Sequence, residues 1–276
     1  MAYGYSRGDG KILVFDLGGG TLDVSIVDFG SNVCEVICTE GEDRLGGDDF
    51  DEVIMSYVLE EAGGKSNVTM ELDPVRRLML KEVAEQAKIT LSTVETATIR
   101  IPGFFNEGET ARSLDIPIGR KQFEEMAQPL FDKAARLLSK ALESARIRGP
   151  ELDAVLLLGG SSRIPHIRTF VERTLGRASF TGVDPETCVA QGAAIVGAIL
   201  DGKREVRDTL ILDVIASSYG TATLGGVCTK IIDKNTTVPT SGMKSFTTTE
   251  DNQATITVAV YQGEREFARD HIPRNS

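Results

Sequence analysis

Apolar and polar positions follow two different periods along residues 1–203 of the chain. Short apolar runs bounded by Gly, Asp or Lys, such as Ile12–Phe15 and Ala154–Leu158, are typical of buried strands. Longer segments repeat apolar residues every three or four positions, which predicts helices, for example from Pro74 to about Leu91. Because strands and helices alternate within one stretch of chain, the pattern predicts a fold of the α/β class.

The longest helical pattern runs from Arg120 to Arg146 and carries a continuous apolar stripe at helical spacing. Thr96–Ile101 and Arg112–Ile118 are predicted strands, with residues 103–108 as the loop between them. Two further helices are predicted over Pro165–Leu175 and Thr187–Leu200.

Composition changes after residue 203. Residues 204–214 combine a charged stretch with the apolar run Leu210–Leu212. Residues 215–276 are rich in Thr, Val and Ile and show turn signals but no helical pattern. We therefore predict a mixed unit over residues 1–203, a linker over 204–214 and an all-β unit over 215–276.

The charge balance and the cysteines limit the classes of partner and compartment. The 276 residues carry a formal net charge of -11, which argues against nucleic acid or an anionic membrane as a partner. No apolar run approaches the roughly 20 residues of a membrane span, and the first ten residues do not resemble a secretory signal. With four cysteines and only two histidines, reduced thiols in a cytoplasmic protein are favoured over a zinc site.

Two glycine turns carry the candidate chemistry. Gly18-Gly19-Gly20-Thr21 follows the first strand, and Gly159-Gly160-Ser161 follows the strand that ends at Leu158. Glycine lacks a Cβ, so backbone N–H groups can approach an anion closely at such a turn. A simple hairpin turn is the alternative for either motif alone. Two such turns in one chain favour a phosphate or nucleotide clamp.

Further motifs accompany the two glycine turns in a fixed order along the chain. They are ILVFDLGGGTLDVS at 12–25, LGGDDF at 45–50, EVAEQAKITLS at 82–92, VLLLGGSSRIP at 155–165, VAQGAA at 189–194, LILDV at 210–214 and GGVCTKIIDKNTTVP at 225–239. Each glycine motif is weak evidence by itself, whereas the ordered set is highly specific. The set resembles the DnaK-type heat-shock chaperone family, the seventy-kilodalton class, and the resemblance covers about residues 2–265.

The resemblance implies a fold and an organisation. It implies the second lobe of an actin-like (ribonuclease H-like) ATPase domain, then a hydrophobic linker, then part of an antiparallel β-sandwich. By this comparison the chain begins near the end of the first lobe and stops inside the sandwich. The family's phosphate loop, catalytic Lys and catalytic Glu belong to the first lobe. We therefore expect impaired nucleotide binding and negligible ATP hydrolysis by this chain alone, and its status as an enzyme stays open.

The resemblance also implies a site for ATP or ADP, with Mg²⁺ held through water and no direct protein ligand to the metal. Asp16 would hold a Mg²⁺-bound water. Glu85, Lys88 and Ser92 lie at i, i+3 and i+7 and would contact ribose and adenine, with a solvated polar helix face as the alternative. The phosphates would lie on Gly18, Gly19, Gly20 and Thr21, and the adenosine on Gly159, Gly160, Ser161, Arg163 and Glu186.

Six residues of the all-β unit match positions around the family's peptide cleft. They are Thr221, Leu224, Phe246, Thr249, Ile256 and Val258. Such side chains would receive the apolar anchors of an extended peptide. An ordinary core position is an equal alternative for Ile256 and Val258. The implied partners are unfolded or extended apolar peptides, J-domain co-chaperones and nucleotide exchange factors.

Two hypotheses about function follow. The first is a molecular chaperone of the heat-shock type that binds ATP and unfolded peptides in protein folding and the stress response. The alternative is a non-enzymatic module that binds peptides or co-chaperones. A phosphotransferase of the actin-like superfamily is disfavoured by the linker and the all-β unit.

Overall fold

The central sheet is built from the strands that flank the two glycine turns. Strand β1 (Gly10–Leu17) pairs antiparallel with β2 (Leu22–Gly30). Strand β3 (Val33–Glu42) pairs antiparallel with β2 on its other side. The protein is described from a computed structural model over residues 9–64, 72–107, 110–180, 182, 184–185, 187–203 and 209–271.

The described residues form six α-helices in addition to this sheet and a separate β-hairpin. They are α1 (Gly47–Gly64), α2 (Pro74–Leu91), α3 (Arg120–Met126), α4 (Gln128–Ala145), α5 (Pro165–Leu175) and α6 (Cys188–Leu200). Helix α2 begins as predicted, because the Asp73 carboxylate accepts hydrogen bonds from the backbone N–H groups of Val75 and Arg76. Pro74 occupies the first turn, where no intrahelical N–H bond is lost.

The single helix predicted over residues 120–146 is wrong in one respect, because the structure has two helices there. Helix α3 ends at Met126 and α4 begins at Gln128. Pro129 lies in the first turn of α4 and has no N–H to continue the hydrogen-bond ladder of α3. Ala127 between the helices is fully buried, so the apolar stripe continues across the break.

The loop predicted at residues 103–108 is also wrong for most of its length. Strands β4 (Thr96–Glu107) and β5 (Thr110–Gly119) form a longer antiparallel hairpin. An irregularity between Ile101 and Phe105 contains Gly103, whose φ of 61° is accessible to glycine. The glycine therefore marks a bulge in a strand rather than the end of one.

The main core lies between strands β1 and β2 and the helices that pack against them. Phe50 of α1 contacts Phe123 and Phe131, and Phe131 stacks on His166 with ring centroids 4.2 Å apart. The three phenylalanines are nearly inaccessible to solvent. These contacts join helices α1, α3, α4 and α5, and Phe170 of α5 contacts Phe15 of β1, the strand from which the first glycine turn emerges.

The apolar segment predicted as a linker is the strand next to the edge of the main sheet. Strand β7 (Leu210–Val214) pairs in parallel with β3, and β10 (Thr237–Val238) pairs antiparallel with β7. With β6 (Ala154–Leu158) beside β1, the sheet has the order β10-β7-β3-β2-β1-β6.

The remaining strands form a small antiparallel sheet of their own. Strand β8 (Tyr219–Ala222) lies between β9 (Cys228–Ile232) and β11 (Val260–Gln262). Within residues 209–271 the described chain contains no α-helix. The structure therefore has mixed α/β character, and the β-sandwich stays a prediction.

None of the helices in the described part of the chain is both long and apolar enough to cross a bilayer.

All four cysteines carry free thiols. Burial raises the pKa of the Cys34, Cys38 and Cys188 thiols, which keeps them in the protonated form at neutral pH.

Candidate functional site

The two glycine turns emerge side by side from the same edge of the main sheet. Strand β6 pairs in parallel with β1, with Leu158 opposite Asp16. Each turn therefore begins at the carboxyl end of its strand, and the two ends are adjacent. The Ser161 hydroxyl joins the turns directly by donating a hydrogen bond of 3.0 Å to the Gly18 carbonyl.

Gly159 makes this close approach possible. Its φ of 77° and ψ of 150° lie in a region that is essentially restricted to glycine. A Cβ at this position would lie 2.3 Å from the Leu17 carbonyl oxygen. The second turn is therefore packed against the end of β1 with no space for a side chain.

A third glycine turn, Gly46-Gly47, packs against the first. The Gly47 N–H donates to Gly18 O at 2.9 Å, and the Asp48 N–H donates to Gly19 O at 2.8 Å. A Cβ on Gly46 would lie 2.4 Å from Gly19 O. We call these three turns, Gly18–Gly20, Gly46–Gly47 and Gly159–Ser161, the glycine junction.

Two carboxylates lie opposite each other at the first turn. Asp16 on β1 is the cross-strand partner of Asp23 on β2, so both side chains project from the same face of the sheet. Burial of Asp16, reinforced by the charge of Asp23, raises the pKa of the Asp16 carboxyl. A cation held near the pair would relieve this repulsion. No group of three or more potential metal-ligating side chains occurs within the described residues.

Beneath the junction lies a buried ion pair. The Lys88 ammonium is 2.8 Å from Asp51 Oδ1 and donates a hydrogen bond of 2.9 Å to Gly47 O. The side chains are 9% and 2% exposed, so a solvated polar helix face is excluded for Lys88. Burial raises the pKa of the Asp51 carboxyl, although the bond from Lys88 acts in the opposite direction.

A cavity of about 420 Å³ adjoins the second turn. Two predicted adenosine contacts, Ser92 and Arg163, line it. Glu85 is exposed on the surface of α2, and Glu186 lies outside the described residues. The volume falls in the range of pockets that bind small molecules. The other lining residues are Leu157, Ser162, Pro165, Arg168, Ser179, Phe180 and Pro185.

The structure brings the two predicted glycine turns and Lys88 together, but it does not gather the predicted peptide residues. Thr221 is buried and donates a hydrogen bond of 2.9 Å to Ala259 O. The side chains of Leu224, Phe246, Ile256 and Val258 are more than half exposed, and Thr249 is exposed as well. No buried cluster within the described ranges contains any of these five residues.

Some residues of the site were not predicted as such. Gly46 and Gly47 belong to the matching segment LGGDDF at 45–50, and Asp51 follows it directly, but no role was predicted for any of them. The available signal was the glycine pair Gly46-Gly47, at which helix α1 begins. Asp23 was also missed, although its spacing from Asp16 across a tight turn places the two residues opposite each other in a hairpin.

The fold and the site define a mixed α/β protein whose strand-end glycine turns converge beside a cavity of about 420 Å³. A family model described as "Hsp70 protein" matches residues 1–274. Because the match spans nearly the whole chain, the protein belongs to the Hsp70 family. Membership supports a chaperone-type function in general. Members of this family bind nucleotide with a metal ion and interact with substrate peptides and co-chaperones.

Proposed function

We propose that this chain binds ATP or ADP at the glycine junction and the adjoining cavity, with Mg²⁺ held through water. One observation carries the proposal. The turns that follow the parallel strands β1 and β6 lie side by side and are joined by the bond from Ser161 to Gly18 O. Ligands of open α/β sheets bind at the carboxyl ends of the strands.

The shape of the junction fits a phosphate group. A Cβ built on Gly19, Gly20 or Gly160 meets no atom within 4 Å, whereas a Cβ on Gly46 or Gly159 collides with backbone. The first three glycines therefore border open space, and the others are needed for packing. Backbone N–H groups can line such a space at close range.

Each group of residues has a role in this proposal. The turn Gly18–Gly20 and the Thr21 hydroxyl would hold the phosphates. Asp16, together with Asp23, would hold waters of the hydrated ion. The ion supplies charge neutralisation on the phosphate oxygens when bound. The proposal is confined to binding, because phosphoryl transfer needs positioned groups from several sides.

The cavity would hold the adenosine part of the nucleotide. Ser92 and Arg163 line it, and a guanidinium can stack on a purine ring. Gly159, Gly160 and Ser161 lead from the phosphate side to the cavity. Glu85 and Glu186 stay predicted contacts. Lys88, whose ammonium contacts Asp51 and Gly47 O, stays a predicted contact as well.

The division of the chain is part of the same proposal. Residues 1–203 would be the second lobe of an actin-like nucleotide domain, 204–214 the linker and 215–276 part of a peptide-binding β-sandwich. The parallel pairing of β7 with β3 supports a linker that attaches to the nucleotide unit. J-domain co-chaperones, exchange factors and a cytoplasmic location remain predictions from the family.

A second candidate function is a peptide- or co-chaperone-binding module without nucleotide chemistry. The exposed apolar side chains of Leu224, Phe246, Ile256 and Val258 favour it, because such groups can receive an extended apolar peptide. Calorimetric titration with MgADP, MgATP and an apolar extended peptide separates the candidates. Nucleotide binding supports the first proposal, and peptide binding alone supports the second.

Gly20→Ala tests the assignment of the phosphate side. Gly20 does not have a positive φ and its Cβ would meet open space, so we expect an unchanged urea unfolding midpoint. The methyl group would occupy ligand space, so MgADP should bind at least about tenfold more weakly, equivalent to about 1.4 kcal/mol. Calorimetry and urea unfolding measure the two quantities.

The matched control is Gly197→Ala in α6, where a Cβ also meets no atom within 4 Å. It should leave the MgADP affinity unchanged, because Gly197 lies outside the junction. If Gly20→Ala binds MgADP as tightly as the parent protein, the assignment of this turn to phosphate is wrong.

A further inference from the structure

Asp51 is a buried carboxylate of the Hsp70-family chain that lies under the glycine junction without belonging to any of its turns. It lies on the first helical turns of α1, four residues after Gly47. Its side chain is 2% exposed, and Lys88 of α2 supplies the paired cation at 2.8 Å. An ion pair with so little solvent contact is unusual in a protein interior, so its position calls for an explanation.

The contacts of Lys88 lead from Asp51 to the junction. The ammonium that pairs with Asp51 also donates to Gly47 O at 2.9 Å. The N–H of the same Gly47 donates to Gly18 O at 2.9 Å. The chain of contacts therefore runs from Asp51 through Lys88 and Gly47 to the turn that faces open space.

The geometry at Gly47 shows how closely these groups meet. A Cβ on Gly47 would lie 2.7 Å from Ser161 Oγ and 3.0 Å from Lys88 Nζ. Ser161 donates to the same Gly18 carbonyl that accepts from Gly47. All three turns are thus linked at one carbonyl group, and the ion pair abuts that point.

We propose that Asp51 is a positioning residue, which orients Lys88 so that its ammonium holds the Gly46–Gly47 turn against Gly18 and Gly19. The effect of Asp51 on nucleotide passes through the backbone of the junction, and Asp51 itself does not contact the ligand. Lys88 alone could hydrogen-bond Gly47 O from several rotamers, since its stem is long and flexible. The carboxylate selects the rotamer that points at this carbonyl.

The inference rests on the proposed nucleotide site for its effect on affinity, but its structural part does not. The Gly47 and Asp48 amides donate to the first turn, so their hydrogen exchange, measured by NMR, reports on the position of the turn without any nucleotide. In Asp51→Asn we expect exchange of these two amides to be at least about tenfold faster than in the parent protein. MgADP should bind at least about tenfold more weakly.

The control for Asp51→Asn is Glu52→Gln. Glu52 of α1 forms an ion pair with Arg77 of α2, so this pair joins the same two helices, but both side chains are well exposed. Exposed pairs contribute little to stability. Glu52→Gln should therefore change neither the exchange of the Gly47 and Asp48 amides nor the MgADP affinity.

The double variant Asp51→Leu with Lys88→Met separates positioning from charge burial. Asp51→Asn alone leaves a buried unpaired cation, whereas the double variant contains no buried charge and should recover the urea unfolding midpoint. Positioning predicts that fast amide exchange and weak MgADP binding persist in it. Recovery of parental exchange and affinity would overturn the proposal, as would parental exchange in Asp51→Asn.

The outcomes also distinguish this proposal from the proposed function. If the parent protein binds no MgADP, the nucleotide function fails, while the exchange of the Gly47 and Asp48 amides still decides whether Asp51 positions the junction. If MgADP binds but Asp51→Asn leaves exchange and affinity unchanged, the nucleotide function stands and the positioning role is wrong.

Discussion

Replacing Gly159 with alanine is expected to lower the free energy of unfolding by at least about 3 kcal/mol. Two effects combine at this position. The backbone has a φ of 77° that a residue with a Cβ rarely adopts, and the new methyl group would lie 2.3 Å from Leu17 O. The obstacle is backbone of the central strand β1, which cannot move aside as a flexible side chain would. Urea unfolding followed by circular dichroism measures the loss.

Gly160→Ala is the matched control, one residue along the same turn. Gly160 does not have a positive φ, and a Cβ there meets no atom within 4 Å. We expect its free energy of unfolding to stay within about 0.5 kcal/mol of the parent value. A Gly159→Ala protein as stable as Gly160→Ala would show that the two turns are not packed as described. Because Gly160 borders the open space of the junction, its alanine variant should still weaken MgADP binding.

The sequence predicted the elements better than it predicted their contacts. The strands around both glycine turns and the start of α2 at Asp73 depend on local signals, and the structure has them. The break at Ala127 was missed because the apolar stripe continues across it, and only Pro129 indicated that the hydrogen-bond ladder is interrupted. The β4–β5 hairpin was shortened because Gly103 resembles a loop residue, whereas it lies in a bulge.

The site shows the same limit at the level of side chains. The two turns could be found from their glycines, because a strand followed by several glycines is a local pattern. The burial of Lys88 could not be predicted from the sequence, because it depends on the packing of α1 against α2. Asp51 has no sequence signal of its own: it is one of several acidic residues at the start of α1, and only packing separates it from exposed Asp48. Tertiary contacts therefore determine which charged side chains are buried at the glycine junction.

A second buried carboxylate, Glu40, connects the α/β unit to the segment that follows the predicted linker. Glu40 on β3 is 2% exposed and lies 2.8 Å from Lys140 Nζ and 2.9 Å from Lys234 Nζ. Lys140 belongs to α4, and Lys234 lies in the turn between β9 and β10. The Ser144 hydroxyl donates to the same carboxylate at 3.0 Å. Glu40 therefore holds the edge where β7 and β10 join the main sheet.

Glu40→Gln is expected to lower the free energy of unfolding by about 3 kcal/mol at neutral pH. Lys234 is only 15% exposed and would lose its counterion, whereas the more exposed Lys140 can turn to solvent. We also expect faster hydrogen exchange in β7, since its neighbour β10 directly follows the turn that carries Lys234. The control is Glu35→Gln on the exposed face of the same strand. Equal exchange of β7 in both variants would contradict a role for Glu40 at this edge.

The same carboxylate gives the protein a specific dependence on pH. Burial alone would raise the pKa of Glu40, but the two lysines and Ser144 outweigh it and hold the pKa below the ordinary value of 4.5. A carboxyl with a lowered pKa in the folded state stabilises the protein above its unfolded pKa, and this stability is lost as the pH falls through the folded pKa. The stability difference between the parent protein and Glu40→Gln should therefore be constant above pH 4.5 and shrink below it. Urea unfolding of both proteins across this range measures the difference. A gap that stays constant in acid would mean that the charge of Glu40 does not hold the edge strands.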